Sequence, residues 1–156
     1  MKTQITPIKR LGIIFVFGIV AFLFWKNYEH VYDKILYQKI IEDETNSLTK
    51  KQKDLIRKFS RMVKGDYGIV VKVKVYKNKI KIPSINVKTL FIGICPATKE
   101  FIVIFPPLLK KALSKDFVNY MQKDHFALYL KKNQWQKGLM KSLLLLWENL
   151  STSAGG

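Results

Sequence analysis

Thr89 to Leu113, TLFIGICPATKEFIVIFPPLLKKAL, is the stretch whose reading decides the fold. Two short apolar runs, Leu90–Cys95 and Phe101–Phe105, flank the polar Pro96-Ala97-Thr98-Lys99-Glu100. Runs this short, rich in Ile, Val and Phe and broken by turn residues, predict two buried strands of a hairpin. Pro106-Pro107 then stops the second strand, since proline cannot donate to a ladder, and its fixed φ suits Pro107 to opening a helix at Leu108. The hairpin marks the core and contains no reaction: a solvated turn accounts for Thr98, Lys99 and Glu100.

Working outward toward the N-terminus, Ile69, Val71, Val73 and Val75 alternate with Val70, Lys72, Lys74 and Tyr76, the period of a strand with one wet face. Lys77-Asn78-Lys79 reads as a turn, with Ile80-Lys81-Ile82 as a short returning partner before Pro83. Lys72, Lys74, Lys79 and Lys81 are then the candidate basic patch for anionic headgroups. Upstream, Thr49 with Gln52 fits a capping box, and Leu55, Ile56, Phe59, Met62 and Val63 mark the stripe of a helix that Gly65 is expected to end.

On the C-terminal side, Leu108–Leu113 predicts a helical turn or more. Ser114 caps a helix reaching about Leu130, with Phe117, Met121, Leu128 and Tyr129 apolar. Asn133 with Gln136 suggests a second capping pair, opening a last helix through Leu150. Its stripe, Trp135, Leu139, Leu143, Leu146 and Leu150, is flanked by Leu144, Leu145 and Trp147. Such an excess of apolar surface is either core or a contact for another subunit. Trp135, Leu139, Leu143, Leu146, Trp147 and Leu150 are therefore the candidate partner interface. Residues 151–156 form a small polar tail.

The N-terminal part has a different composition. After a tail of ten residues carrying Lys2, Lys9 and Arg10, the run Leu11–Trp25, LGIIFVFGIVAFLFW, has no charge. As a helix it spans about 22 Å, short of a hydrocarbon core of about 30 Å. Arg10 and Lys26 can extend it by snorkelling, and Trp25 with Tyr28 makes an aromatic edge. A cleavable signal peptide needs small residues at its end, whereas this run closes on Phe22-Leu23-Phe24-Trp25. The expectation is an uncleaved single-pass anchor over residues 11–26, with Leu11, Phe15, Phe22 and Trp25 in the membrane. The brief basic N-terminus favours an N-in orientation and a translocated domain. Tyr28, Val31, Tyr32, Ile35, Leu36 and Ile40 recur at helical spacing. Residues 27–47 thus read as a stalk helix followed by an acidic linker, Glu42-Asp43-Glu44.

The 156-residue chain is 48% apolar and 25% charged, as folded proteins are, with a net charge of +17. That field favours anionic partners: headgroups, an acidic protein face or nucleic acid. Nucleic acid ranks behind the others, because the lysines are spread over every element and no arginine cluster forms. The single cysteine, Cys95, excludes an intramolecular disulfide and a multi-cysteine zinc site. Neither Walker loop, dinucleotide glycine pattern, HExxH nor nucleophile elbow is present. His125 follows Asp124, but adjacent helical residues do not face each other. The acids after Lys50 (Asp54, Asp66, Glu100, Asp116, Asp124, Glu148) are scattered, whereas acid–base or two-metal chemistry needs convergent carboxylates. No cofactor, metal ligand or catalytic residue is identified, and the balance of these residues leans away from an enzyme without deciding it.

The order of elements, the run IVIFPPLLKKALSKDF, and the later His125-Phe126 with Asn133-x-Trp135-x-x-Gly138-Leu139 resemble the TPM domain family over Leu48 to Leu150. The family includes membrane-anchored bacterial proteins and a thylakoid lumenal member linked with photosystem II repair and described as an acid phosphatase. The resemblance implies an α/β fold: a single transmembrane helix followed by a small α/β/α sandwich. Members usually carry an Asp-Asn-Gly-type segment before the second strand. Here that place reads Pro83-Ser84-Ile85-Asn86-Val87-Lys88, without an acid, so no catalytic residue carries over. The leading expectation is an accessory subunit or assembly factor of a larger energy-transducing membrane complex, bound to other membrane-protein subunits. Its membrane would be a bacterial or mitochondrial inner membrane, or a thylakoid. The alternatives are a membrane-tethered phosphatase and a module binding anionic lipid headgroups.

Overall fold

The computed structural model describes residues 18–22 and 40–153. The chain divides into two compact units, Met1–Gln38 and Lys39–Gly156. In the first, residues 18–22 are helical and Phe22 projects outward, 68% exposed. The rest of the expected anchor, including Leu11, Phe15 and Trp25, lies outside the described residues, as does most of the expected stalk. Among the described residues no helix is long and apolar enough to cross a membrane.

The second unit is a mixed α/β domain. Its order is β1 (Ile41–Asp43), α1 (Lys50–Tyr67), β2 (Val70–Val75), β3 (Thr89–Cys95), β4 (Glu100–Ile104), α2 (Pro107–Ala112), α3 (Lys115–Lys123), α4 (His125–Lys131) and α5 (Trp135–Ser153). The four strands form one sheet in the order β1-β2-β3-β4. β1 and β3 run parallel to β2, and β4 returns antiparallel to β3. The domain thus begins before Leu48, where the acidic stretch had been expected to act as a linker. Ile41 pairs with Val73 and Asp43 with Val75 instead.

Register sorts the sheet into two faces. Val71, Val73 and Val75 lie beside Leu90, Ile92 and Ile94, which lie beside Phe101 and Val103. Helices cover this row: α1 through Ile56, Phe59 and Val63, and α4 through Phe126, whose ring sits 5.4 Å from that of Phe101. β3 is buried on both faces, as its unbroken apolar run requires. The opposite row includes Lys72, Lys74, Phe91, Gly93, Cys95, Ile102 and Ile104. Over its β3–β4 half lie Tyr76, Ile80 and Ile85, from the β2–β3 connection. Residues 80–82 form no strand. Ile80 packs inward on Phe91 and Cys95, and the Tyr76 hydroxyl donates to the Lys81 carbonyl, so the connection folds onto the sheet rather than extending it.

β1 is short, and past its end the Ser60 hydroxyl replaces the missing strand. It lies 3.3 Å from both the amide and the carbonyl of Val71. The capping box forms: the Thr49 side chain accepts from the Gln52 amide, and the Gln52 side chain accepts from the Thr49 amide. α1 does not stop at Gly65. It runs to Tyr67 and ends where Gly68 takes φ +65°, a left-handed conformation open to glycine at little cost.

The Pro-Pro launch holds, with Pro106 as the cap and Pro107 the first residue of α2. Ser114 caps α3 by accepting from the Phe117 amide at 3.2 Å. The helix expected to reach about Leu130 breaks at Asp124, because His125 and Phe126 turn inward and are buried. Asn133 does not cap the last helix. At φ +54° it closes α4, with the Gln134 amide donating to the Tyr129 carbonyl at 2.8 Å. α5 then crosses α4 so closely that a Cβ on Gly138 would stand 2.8 Å from Tyr129 Cγ.

Candidate functional site

The acids near the N-terminus of the domain are structural partners of its lysines. Glu42 bridges Lys72 and Lys74, each at 2.8 Å, and Glu44 reaches Lys74 at 3.3 Å. The Lys74 ammonium also lies 4.9 Å from the centre of the Tyr76 ring. Hydrogen bonds from Lys72 and Lys74 hold the Glu42 carboxyl below its usual range, and Glu42 in turn raises Lys74. Lys72, Lys74, Lys79 and Lys81 therefore do not form one free basic face. The first two are neutralised within the sheet, and the other two stand exposed on the β2–β3 connection. No spacing rule could have revealed this, because the register that sets Glu42 beside Lys74 joins residues distant in the chain.

Asp43 has a separate task. Its side chain is 2% exposed and accepts from the amides of Thr45 (3.1 Å) and Leu48 (2.9 Å) and from the Thr45 hydroxyl (2.8 Å). Lys53 stands 3.5 Å away. Burial pushes the carboxyl up, but the Leu48 amide, the Thr45 hydroxyl and Lys53 together outweigh it and leave the group low. Asp43 thus ties the β1 end to the entry of α1.

His125 is likewise committed to structure. It is 2% exposed, its Nε2 lies 2.9 Å from the Gly138 carbonyl, and its Nδ1 lies 3.2 Å from the Tyr120 hydroxyl. The carbonyl can only accept, which places the proton on Nε2 and makes Nδ1 the acceptor from Tyr120. Burial lowers its pKa, and the rings of Tyr120, Phe126 and Tyr129 pack at 5.0–5.5 Å. Neither nitrogen engages Asp124, so the neighbour pair is not a dyad. Cys95 is buried and donates to the Asn78 carbonyl at 3.3 Å. Asp54 pairs with Arg57 at 2.9 Å, and Glu100 accepts from the Thr98 hydroxyl at 2.9 Å. Among the described residues no three His, Cys, Asp or Glu side chains converge as a metal site would need.

The feature left without an internal purpose is an apolar groove of about 230 Å³ between α1 and α5. Leu55, Lys58, Phe59 and Met62 line it from α1; Met140, Leu143, Leu144 and Trp147 line it from α5. Phe59 and Leu143 form the buried floor, at 5% and 2% exposed, while Leu55 and Leu144 stand open at 53% and 48%. The helices are tied near their C-terminal ends, where the Tyr67 hydroxyl donates to the Leu150 carbonyl at 3.0 Å. A shallower depression lined by Lys58, Arg61, Met62, Gly65 and Asp66 adjoins the groove along α1.

This corrects the residue set read from the sequence. Trp135, Leu139, Leu146 and Leu150 are buried in the core and cannot reach a partner, and Leu143, 2% exposed, forms the floor of the groove rather than a projecting contact. Of the expected interface only Trp147 retains partial exposure. Leu55, Met62 and Met140 were missed as surface residues, and Leu144 was read only as part of the apolar flank of the last helix. Their signal was an overfull stripe: Leu55 adjoins Ile56, Met62 adjoins Val63, and Leu144 adjoins Leu143, so both members of a pair cannot face the core equally.

No protein-family model and no curated protein matches the sequence. Solved structures do match. An N-terminal domain of a protein from P. gingivalis aligns with TM-score 0.61 and 13% identity, covering 74% of this chain and 83% of that one. The N-terminal domain of the cg2496 protein from Corynebacterium glutamicum aligns with TM-score 0.51 and 14% identity, covering 75% and 80%. At such identities the likeness is one of fold.

Proposed function

We propose that this protein is a non-catalytic, membrane-anchored accessory subunit or assembly factor that binds other membrane-protein subunits through the α1–α5 groove. The observation carrying this reading is the half exposure of Leu55 and Leu144 on helices whose neighbouring apolar residues are buried. A contiguous apolar patch rimmed by charge marks an interaction site. Membership of the TPM family is part of the same proposal, although the helices here cover one face of the sheet and the β2–β3 connection covers part of the other, where the resemblance implies an α/β/α sandwich. The Pro-Pro turn into a helix, the Trp-x-x-Gly-Leu motif and the fold likeness to two bacterial domains support it. So is the anchor over residues 11–26, supported by the uncharged run Leu11–Trp25 and its aromatic edge, with the domain translocated across a bacterial or mitochondrial inner membrane or a thylakoid.

A TPM-type phosphatase finds less support, since residues 83–88 contain no acid and Asp43, the most enclosed carboxylate among the described residues, holds backbone amides. The test is purification in mild detergent followed by native sizing. The wild-type chain should migrate in a complex, and Leu144→Gln with Leu55→Gln should release it without lowering the melting temperature. A wild-type chain migrating alone as a monomer would overturn the proposal.

A further inference from the structure

We infer that the occupant of the α1–α5 groove is an acidic amphipathic helix of a partner protein, an inference that rests on the groove being the docking surface. Its dimensions come first. Leu55 to Met62 on α1 and Met140 to Trp147 on α5 are each eight residues, seven steps along the helix and about 10 Å. That is two helical turns, the distance covered by side chains at i, i+4 and i+7 of a helix laid in a groove. Met62 and Met140 line the two walls, and methionine's flexible thioether adapts to a packed helix face. The floor residues Phe59 and Leu143 are recessed, so a ridge of side chains reaches them where a flat bilayer surface does not.

Charge selects the sign. α1 carries seven basic and two acidic residues, and its first turn has no acid. Cations at a helix N-terminus oppose the macrodipole, and a broken local rule of this kind is expected at functional surfaces. Lys58 lines the groove and is exposed, and Lys51 lies one turn before Leu55 on the same face. On α5, Lys141 precedes Leu144 by three residues and is also exposed. An acidic helix complements this rim. The chain's own first 39 residues do not, with six basic residues against two acidic.

The experiment uses the full chain in uncharged detergent and a fluorescein-labelled 18-residue peptide with leucines at i, i+4, i+7 and i+11 and glutamates between them. Fluorescence anisotropy should show binding at least tenfold tighter than for a scrambled peptide of the same composition, and than for a version with lysine replacing glutamate. Leu144→Gln and Lys58→Glu should each weaken it severalfold or more, and added salt should weaken it further. Equal binding of the scrambled or lysine peptide, or no effect of Leu144→Gln, would overturn the inference. So would binding of anionic phosphatidylglycerol vesicles, in place of the peptide, that depends on Leu144. If Leu144→Gln releases the native complex while the acidic peptide fails to bind, the docking surface stands and this occupant is wrong. If the peptide binds but the native complex ignores Leu144→Gln, the proposed function fails instead.

Discussion

Replacing Asp43 tests whether one buried carboxylate organises the start of the domain. Its oxygens accept from two backbone amides and one hydroxyl, and its side chain is 2% exposed. Hydrogen bonds to a charged group contribute about 1.5–3 kcal/mol each, and an orphaned buried amide costs about 1–3 kcal/mol. Water can enter a loop of this kind and recover part of the loss. Asp43→Ala should therefore cost about 3 kcal/mol, roughly a 12 °C fall in Tm for a domain of this size. Asp43→Asn should cost about 2 kcal/mol, because one amide oxygen can serve Thr45 or Leu48 but not both. Lys53→Met should cost less than about 1 kcal/mol, since that ion pair is long and the lysine is partly exposed.

The pH dependence has a definite sign. The folded carboxyl titrates below its ordinary 3.8, so its contribution is complete above that value and is lost as pH falls through the lower folded value. Urea unfolding of the full chain followed by circular dichroism, from pH 7 down to pH 2, gives both quantities. Asp43→Asn should flatten the acid limb. A variant within about 0.5 kcal/mol of wild type, with the same limb, would refute the reasoning.

Three further outcomes are expected. Gly138→Ala should cost about 1–3 kcal/mol by overpacking against Tyr129, and a double-mutant cycle with Tyr129→Ala, which removes the Cγ and Cδ2 atoms it would strike, should show strong coupling, which additive losses would exclude. Leu139→Ala should cost about 2–5 kcal/mol, whereas Leu144→Ala should stay within about 0.5 kcal/mol; equal thermal shifts would contradict the assigned burial. His125, with its pKa depressed by burial, favours folding above its ordinary 6.5, and that contribution declines as pH falls through the folded value. His125→Gln should remove this part of the stability–pH curve, and an unchanged slope below pH 6.5 would show that His125 titrates freely.

Much of the fold was legible because the signals were local. Thr49 and Gln52 meet within one helical turn, Pro106-Pro107 acts on its own backbone, and the hairpin's runs are contiguous. The errors have equally physical sources. Gly65 and Gly68 both end helices well, and only the observed φ distinguishes them. Asn133 suits either the end of one helix or the start of the next. β1 is three residues long, too short to show a period, and it exists because β2 offers Val73 and Val75 as partners.

By itself the sequence determined the hairpin core, the helix caps at Thr49 and Ser114 and the net basic charge, all properties of near neighbours or of totals. Only the tertiary structure decided that Glu42 neutralises Lys72 and Lys74, that the expected leucine interface is core, and that Leu55, Met62, Met140, Leu144 and Trp147 gather into one groove. These depend on register and helix rotation, which are set when distant segments compete for the same buried face.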